Sequence, residues 1–289
     1  MPANNLSWFF NVEYFDRAFD SASDMSIPNK TLQNARPKAY KASGKALPGQ
    51  KSFVLQVEYP GLMAGVGYPH AAGAEGEVCA GCSLDYVTGL PYIPGSSVKG
   101  ILRSAFEHEG YIKEILEDEE ADVKTLEEEI FTNSDIFLDA FPTDGMCNGV
   151  LEIENITPHH NSSLGTLSEP TPLTFAKVKP DVVFEFGFIL KDGDTVSAEK
   201  KLELFKQIIL DLGVGAKTNV GFGRFTDEIK PVTPAAAPSA EQTASERPPF
   251  RRYEEGKCRT CGKPVTAINR NTNKPFPYCY ECNQKFRNR

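Results

Sequence analysis

The sequence predicts an α+β protein: a ferredoxin-like core with insertions, a flexible linker and a small C-terminal zinc ribbon. Three observations predict it. Segments of strand and helix periodicity follow one another as strand, helix, strand, strand with one extra, helix, strand, which is the βαββαβ plan. A stretch dominated by Pro, Ala, Ser and Thr covers residues 230–249, and such a composition buries too little apolar surface to fold. Beyond it stand two Cys-x2-Cys pairs.

The elements follow in order. Residues 1–50 show little periodicity; the aromatic patch Trp8, Phe9, Phe10, Tyr14 and Phe15 is expected to form a short strand, and the rest to Gln50 a loop. Phe53, Leu55, Val57 and Tyr59 alternate with Val54, Gln56 and Glu58, a period of two and hence a strand, ended by Pro60-Gly61. The stretch to Asp85 is rich in Gly and Ala and is expected to be a long functional or mobile loop. After Pro94-Gly95-Ser96-Ser97, the residues Val98, Ile101, Leu102, Ala105 and Phe106 recur at helical spacing, with Ser96 or Ser97 as N-cap. An acidic segment continues as a second helix to about Phe131. Ile136 to Phe141, Val150 to Ile156 and Val182 to Leu190 are expected strands, the last with Phe184, Phe186, Phe188 and Leu190 on one face. Ser197 caps a helix with the stripe Leu202, Phe205, Ile208, Ile209 and Leu212, and a final strand covers roughly Gly223 to Ile229. The expected domains are 1–229 for the core, 230–250 for the linker and 251–289 for the ribbon.

Apolar residues make up 40% and charged residues 24% of the 289, enough to bury a core and too apolar for wholesale disorder. No run approaches the roughly 18 apolar residues of a membrane span, and the first residues lack the pattern of a signal peptide. A cytoplasmic protein without membrane partners is expected. The net charge of -8 is unevenly spread: residues 247–289 carry 11 basic and three acidic side chains, leaving 20 basic and 36 acidic before them. Glu107 to Glu129 holds eleven carboxylates and two lysines, whereas Met25 to Val57 holds six basic residues, Lys30 to Lys51, and no acid. The basic stretches suit either an RNA footprint or a solvated surface.

Cys258, Cys261, Cys279 and Cys282 carry the strongest local signal. Two thiolates separated by two residues reach one ion from a tight knuckle, and two knuckles complete a tetrahedron around structural Zn²⁺. So short and core-poor a segment needs such a staple. Tyr253, Phe276, Tyr278, Tyr280 and Phe286 are interleaved with Lys and Arg, which suits either stacking on single-stranded nucleic acid or cover for the metal. A second pair, Cys79 and Cys82, with His70 nearby, leaves open a further metal site or an inert loop pair.

The glycine-rich run Gly213 to Gly223 follows a helix and precedes a strand, the reverse of a dinucleotide fingerprint, and lacks the adjacent Gly-Lys of a P-loop. Gly213, Gly215, Gly221 and Gly223 with Lys217, Asn219 and Arg224 still offer a backbone that approaches phosphates closely; the alternative is a wide turn over the sheet. Lys99 and Arg103 lie four apart near the start of their helix, where free N–H groups favour anions. With Ser96 and Ser97 they make a second candidate RNA-backbone site. His159-His160 is a candidate general acid or base without an identified partner.

The run Gly89-Leu90-Pro91-Tyr92-Ile93-Pro94-Gly95-Ser96-Ser97-Val98-Lys99-Gly100-Ile101-Leu102-Arg103 resembles the hallmark segment of the RAMP superfamily of type III CRISPR effector complexes. The glycine-rich loop before the last strand resembles the superfamily's C-terminal glycine loop. Tyr59-Pro60-Gly61-Leu62, Asp139-Ala140-Phe141-Pro142 and Ile156-Thr157-Pro158-His159 resemble the sixth-subunit family of the Cmr-type (type III-B) complex. The resemblance spans roughly residues 52–228. It implies an RRM-like core bound to CRISPR RNA near its 3′ end, capping a filament of other RAMP subunits. It implies no catalytic residue here, because target cleavage belongs to the repeated backbone subunit. The implied partners are CRISPR RNA, with target RNA as a further candidate, other Cmr-type RAMP subunits and the small helical subunit. The zinc ribbon and linker depart from the minimal pattern. Two other functions stay open: an endoribonuclease that processes CRISPR RNA through His159 or His160, and a zinc-ribbon adaptor that recruits a protein.

Overall fold

A computed structural model describes residues 5–19, 24–38, 40, 47–65, 74–80, 82–156 and 173–232, together with 264, 268–269 and 274–275. The chain divides into two compact units, Met1–Pro234 and Ala235–Arg289.

The first unit is a mixed α+β structure built on an antiparallel sheet. Strand β1 (Gln50–Val57) runs through its centre. On one side it pairs with β7 (Val183–Ile189), Phe53 opposite Phe186, and on the other with β8 (Phe225–Thr226). Strands β3 (Ile136–Phe137) and β4 (Phe141–Asp144) both pair with β7, so the order is β3-β7-β1-β8 with β4 beside β3 on the same edge. The alternation in β7 works as its sequence predicts: Phe184, Phe186, Phe188 and Leu190 are all buried. Phe53 stacks on Phe186, and Phe186 meets Phe225 edge-on.

Two helices cover that aromatic face. Helix α4 (Gly95–Ala105) buries Val98, Leu102 and Ala105. Helix α7 (Ala198–Leu212) buries Leu204, Phe205, Ile208 and Ile209, and Phe205 packs against both Phe188 and Phe137. Ser197 caps α7 as expected, accepting a hydrogen bond from the Lys200 amide at 3.3 Å. The start of α4 differs from expectation. The helix begins at Gly95 after Pro94, so Ser96 and Ser97 lie within the first turn rather than at the cap.

The acidic segment is broken where one helix is expected. Helix α5 (Glu109–Leu116) ends at Glu117, whose φ is 53°. Helix α6 (Val123–Glu128) restarts at Asp122, whose carboxylate caps Thr125, and a π-helical turn, Glu129–Ser134, follows. Four consecutive acids, Glu117 to Glu120, repel one another in a continuous helix, and an N-capping Asp offers the chain a better restart.

A second sheet, absent from the sequence reading, has the order β2-β6-β5. It comprises β2 (Val78–Ala80), β5 (Leu151–Ile156) and β6 (Leu173–Val178). Leu62 exchanges backbone hydrogen bonds with Val178 of β6 at 3.0 and 2.8 Å, tying the chain after β1 to this sheet. The N-terminal aromatic patch is helical rather than extended: α1 (Leu6–Trp8), a π-helical turn (Phe9–Glu13) and α2 (Tyr14–Phe19). Leu6, Phe9, Phe10 and Tyr14 are buried at helical spacing, and Asn5 caps the start. Helix α3 (Ser26–Asn34) occupies part of the expected loop. The Tyr14 hydroxyl donates to Asn29 and accepts the Val78 amide, each at 2.8 Å, which joins these helices to β2.

After β8 the chain is held by Gln56, whose side-chain amide donates to the Lys230 carbonyl and accepts the Lys230 amide, each at 2.9 Å. In the second unit β9 (Ile268–Asn269) pairs antiparallel with β10 (Lys274–Pro275). Among the described residues, no helix is long and apolar enough to cross a membrane.

Candidate nucleic-acid interface

A groove of about 640 Å³ brings the hallmark segment and the glycine-rich loop together. One wall is α4, through Ser96, Ser97, Gly100, Ile101 and Ser104; Gly215 and Ala216 line it from the loop, with Ala64, Gly65 and Ser83.

Backbone hydrogen bonds fix the loop. The Val214 amide donates to Gly223, Ala216 to Met63 and Gly223 to Gly61, at 2.8 to 2.9 Å. Gly213 and Gly223 have φ of 74° and 68°, and a Cβ on Gly223 would meet the Val214 carbonyl while one on Gly215 would meet that of Met63. These glycines therefore permit close backbone packing of the loop onto the strand-end segment Gly61–Met63. Their amides are largely committed within the protein: Gly213 donates to Ile209, Gly221 to Thr218 and Gly223 to Gly61. Lys217 takes the left-handed conformation at φ 60° and starts the 3-10 turn Thr218–Val220, leaving its own side chain and Asn219 exposed.

The remaining basic candidates have partners. The Lys99 ammonium donates to the Phe131 carbonyl at 2.9 Å and lies over the Phe137 ring, which anchors α4 to the π-helical turn and β3. Arg103 pairs with Glu127 at 3.2 Å on an exposed surface. Arg224 donates to the Asp211 carbonyl, at the last turn of α7. At the start of α4, the Gly95 amide is taken by Asp139 at 2.7 Å, so a carboxylate of the chain already occupies one of the helix's free donors.

Ala64, Gly65 and Ser83 carry no chemical pattern in the sequence because they are small, and only the fold brings them to α4, whose Ser104 also lines the groove. The zinc-ligand candidates Cys258, Cys261, Cys279 and Cys282, the pair His159 and His160, and His70 lie outside the described residues. Cys82 is described: burial pushes its thiol up to about 12, and its Sγ lies 3.7 Å from the Ala176 carbonyl oxygen. Among the described residues, no group of three or more His, Cys, Asp or Glu could hold a metal ion.

A profile of the RAMP superfamily matches residues 81–226, just over half of the chain. The chain is 33% identical over 152 residues to the CRISPR system CMR subunit Cmr6 of Saccharolobus solfataricus, covering 50% of this chain and 48% of that protein. It is 25% identical over 203 residues to the Cmr6 subunit of Pyrococcus furiosus, covering 49% and 59% respectively. The chain thus aligns with about half the length of these curated relatives. Among solved structures, a chain of the type III-B Cmr-beta complex bound to cognate target RNA aligns with 60% of this chain and 56% of its own, at 29% identity and a TM-score of 0.45. The crystal structure of Cmr6 from Pyrococcus furiosus aligns with 62% of this chain and 99% of its own, at 21% identity and a TM-score of 0.39.

Proposed function

The chain belongs to the RAMP superfamily and is similar to Cmr6, and on that footing we propose that it is a non-catalytic RNA-binding subunit of a type III-B CRISPR effector complex. In this reading it holds the CRISPR RNA near its 3′ end and caps the backbone filament beside other RAMP subunits and the small helical subunit. The observation that carries the reading is the groove shared by α4 and the glycine-rich loop. Its small side chains leave room for a sugar-phosphate backbone, with Ser96 and Ser97 as hydroxyl donors and Lys217 as the nearby charge, while the Ser104 hydroxyl donates to the Ile101 carbonyl at 2.8 Å. Lys99, Arg103 and Arg224 act indirectly, by fixing α4 and the loop.

The sheet order supports a ferredoxin-like core. With β3 and β4 taken together as the second strand, the order second-third-first-fourth, antiparallel throughout, is that of a βαββαβ unit with α4 and α7 as its helices. The cysteine spacing supports a structural Zn²⁺ held by Cys258, Cys261, Cys279 and Cys282 in a C-terminal ribbon.

The test is RNA binding by the full chain at several salt concentrations. Lys217→Ala should weaken unrelated guide sequences alike and lower the salt slope by about one, because a phosphate contact carries no sequence information. Ser97→Glu, which puts a like charge in the groove, should weaken them as well. The double variant His159→Ala, His160→Ala should bind as the parent does, and the parent should not cleave RNA. Unchanged affinity and slope in both groove variants would place the RNA elsewhere, and cleavage lost in the histidine variant would make the chain a nuclease.

A further inference from the structure

We propose that Tyr59 is a nucleobase-stacking platform beside the glycine-rich loop, so that this surface grips a base as well as the phosphates; the inference rests on the RNA-binding reading above. Tyr59 sits in the turn two residues beyond β1 with 84% of its surface exposed. Its ring adds little to the core, yet its backbone is tightly held. The Glu58 amide donates to Arg224 at 2.9 Å, the Gly61 amide to Glu58 at 2.8 Å, and the Gly223 amide to Gly61 at 2.8 Å. The turn that carries the tyrosine and the glycine-rich loop are therefore one hydrogen-bonded body.

The residues that the Tyr59-Pro60 turn packs against have the chemistry of a stacking site. Pro60 Cδ lies 3.5 Å from where a Cβ on Gly221 would stand, which places Tyr59-Pro60 against the Thr218–Val220 turn. That turn exposes Val220 to 63% and also exposes Lys217 and Asn219. Downstream of the tyrosine, Leu62 is buried against Gly215 and Gly223, and Met63 accepts the Ala216 amide. Gly215 and Ala216 are the loop residues that line the groove. The turn and the loop, hydrogen-bonded to each other, thus carry an exposed aromatic ring, an exposed apolar side chain, an amide and a cation beside the loop residues that line the groove. Single-stranded RNA is gripped by such a combination, bases on rings and phosphates on lysines. Because the turn is already fixed, little ordering opposes the stacking.

The test compares full-length variants on a single-stranded 20-mer oligoadenylate and on a 20-mer of the same backbone with abasic riboses. Tyr59→Ala should weaken oligoadenylate binding roughly tenfold, within the range typical of one lost base stack, with the salt slope unchanged and abasic binding unchanged. Tyr59→Phe should restore the lost affinity. Tyr86→Ala, which removes a ring exposed to 80% on a separate turn, should bind as the parent does. If Tyr59→Ala binds oligoadenylate as the parent does while Lys217→Ala loses affinity and slope, the stacking inference falls and the RNA-binding reading stands. Equal loss on the abasic oligomer overturns stacking too. No loss with either Tyr59→Ala or Lys217→Ala removes both readings from this surface. A Tyr59→Ala chain that binds RNA normally but fails to join the other subunits would make the ring a protein contact, also against the inference.

Discussion

Lys201 is a long charged side chain buried among the apolar contacts of α7. Its ammonium meets Asp135 at 2.9 Å with the two side chains 2% and 1% exposed, and also donates to the Lys191 carbonyl at 3.0 Å. Asp135 in turn accepts the Lys191 amide at 3.0 Å. Every polar atom of this knot has a partner, so it binds α7, the start of β3 and the end of β7 together. Lys201→Met leaves the buried Asp135 carboxylate without its counter-charge and should cost about 3–5 kcal/mol in urea unfolding. On the surface the same chemistry is worth less. Lys206 donates to Asp227 at 3.1 Å and holds its carboxyl below the usual range. A lowered carboxyl stabilises the fold above its unfolded pKa, and that contribution disappears as pH falls through the folded value. Lys206→Ala should therefore raise the Asp227 midpoint in an NMR titration and slightly reduce the loss of stability on acidification.

At the scale of elements, Gly223 of the loop and Gly100 of α4 do opposite things. A Cβ on Gly223 would run into the Val214 carbonyl, and its φ of 68° is left-handed. Gly100 is exposed on α4 with nothing within 4 Å of such an atom. Gly223→Ala should lower the thermal midpoint, whereas Gly100→Ala should raise stability by about 0.5–1 kcal/mol. Elements with an unbroken period were legible in advance: β7 through its alternating phenylalanines, α7 through its cap and stripe. The N-terminal helices were not, because Trp8 to Phe10 are apolar without interruption and mask the spacing of Leu6, Phe9, Phe10 and Tyr14. Strand β6 was not, because Phe175 to Val178 are all buried and show no alternation. Of the groove, both chemical walls could be read, as hallmark segment and glycine-rich loop. The contribution of Ala64 and Gly65 could not, since they are placed by the distant Leu62–Val178 pairing. The role of Lys99 was hidden for a similar reason: its partner carbonyl belongs to a π-helical turn that periodicity does not reveal.

Across the whole molecule, charge separates by sequence, with residues 1–246 strongly acidic and 247–289 basic. Four thiolates around Zn²⁺ would remove two units of the tail's positive charge and leave it basic. Cys258→Ser or Cys279→Ser should release about one zinc per chain, measured by elemental analysis, while the unfolding transition of the Met1–Pro234 unit stays in place. Metal-free protein purified without chelators would contradict the ribbon. The central strand has a consequence for how the chain reaches this state. Among the described residues β1 pairs with β7 and β8, and Gln56 closes on Lys230, 174 residues later. Such long-range closure carries a large entropy cost before any contact repays it, which makes folding slow relative to helical proteins of similar size. During synthesis the first strand must wait, unpaired, until almost the entire first unit has left the ribosome.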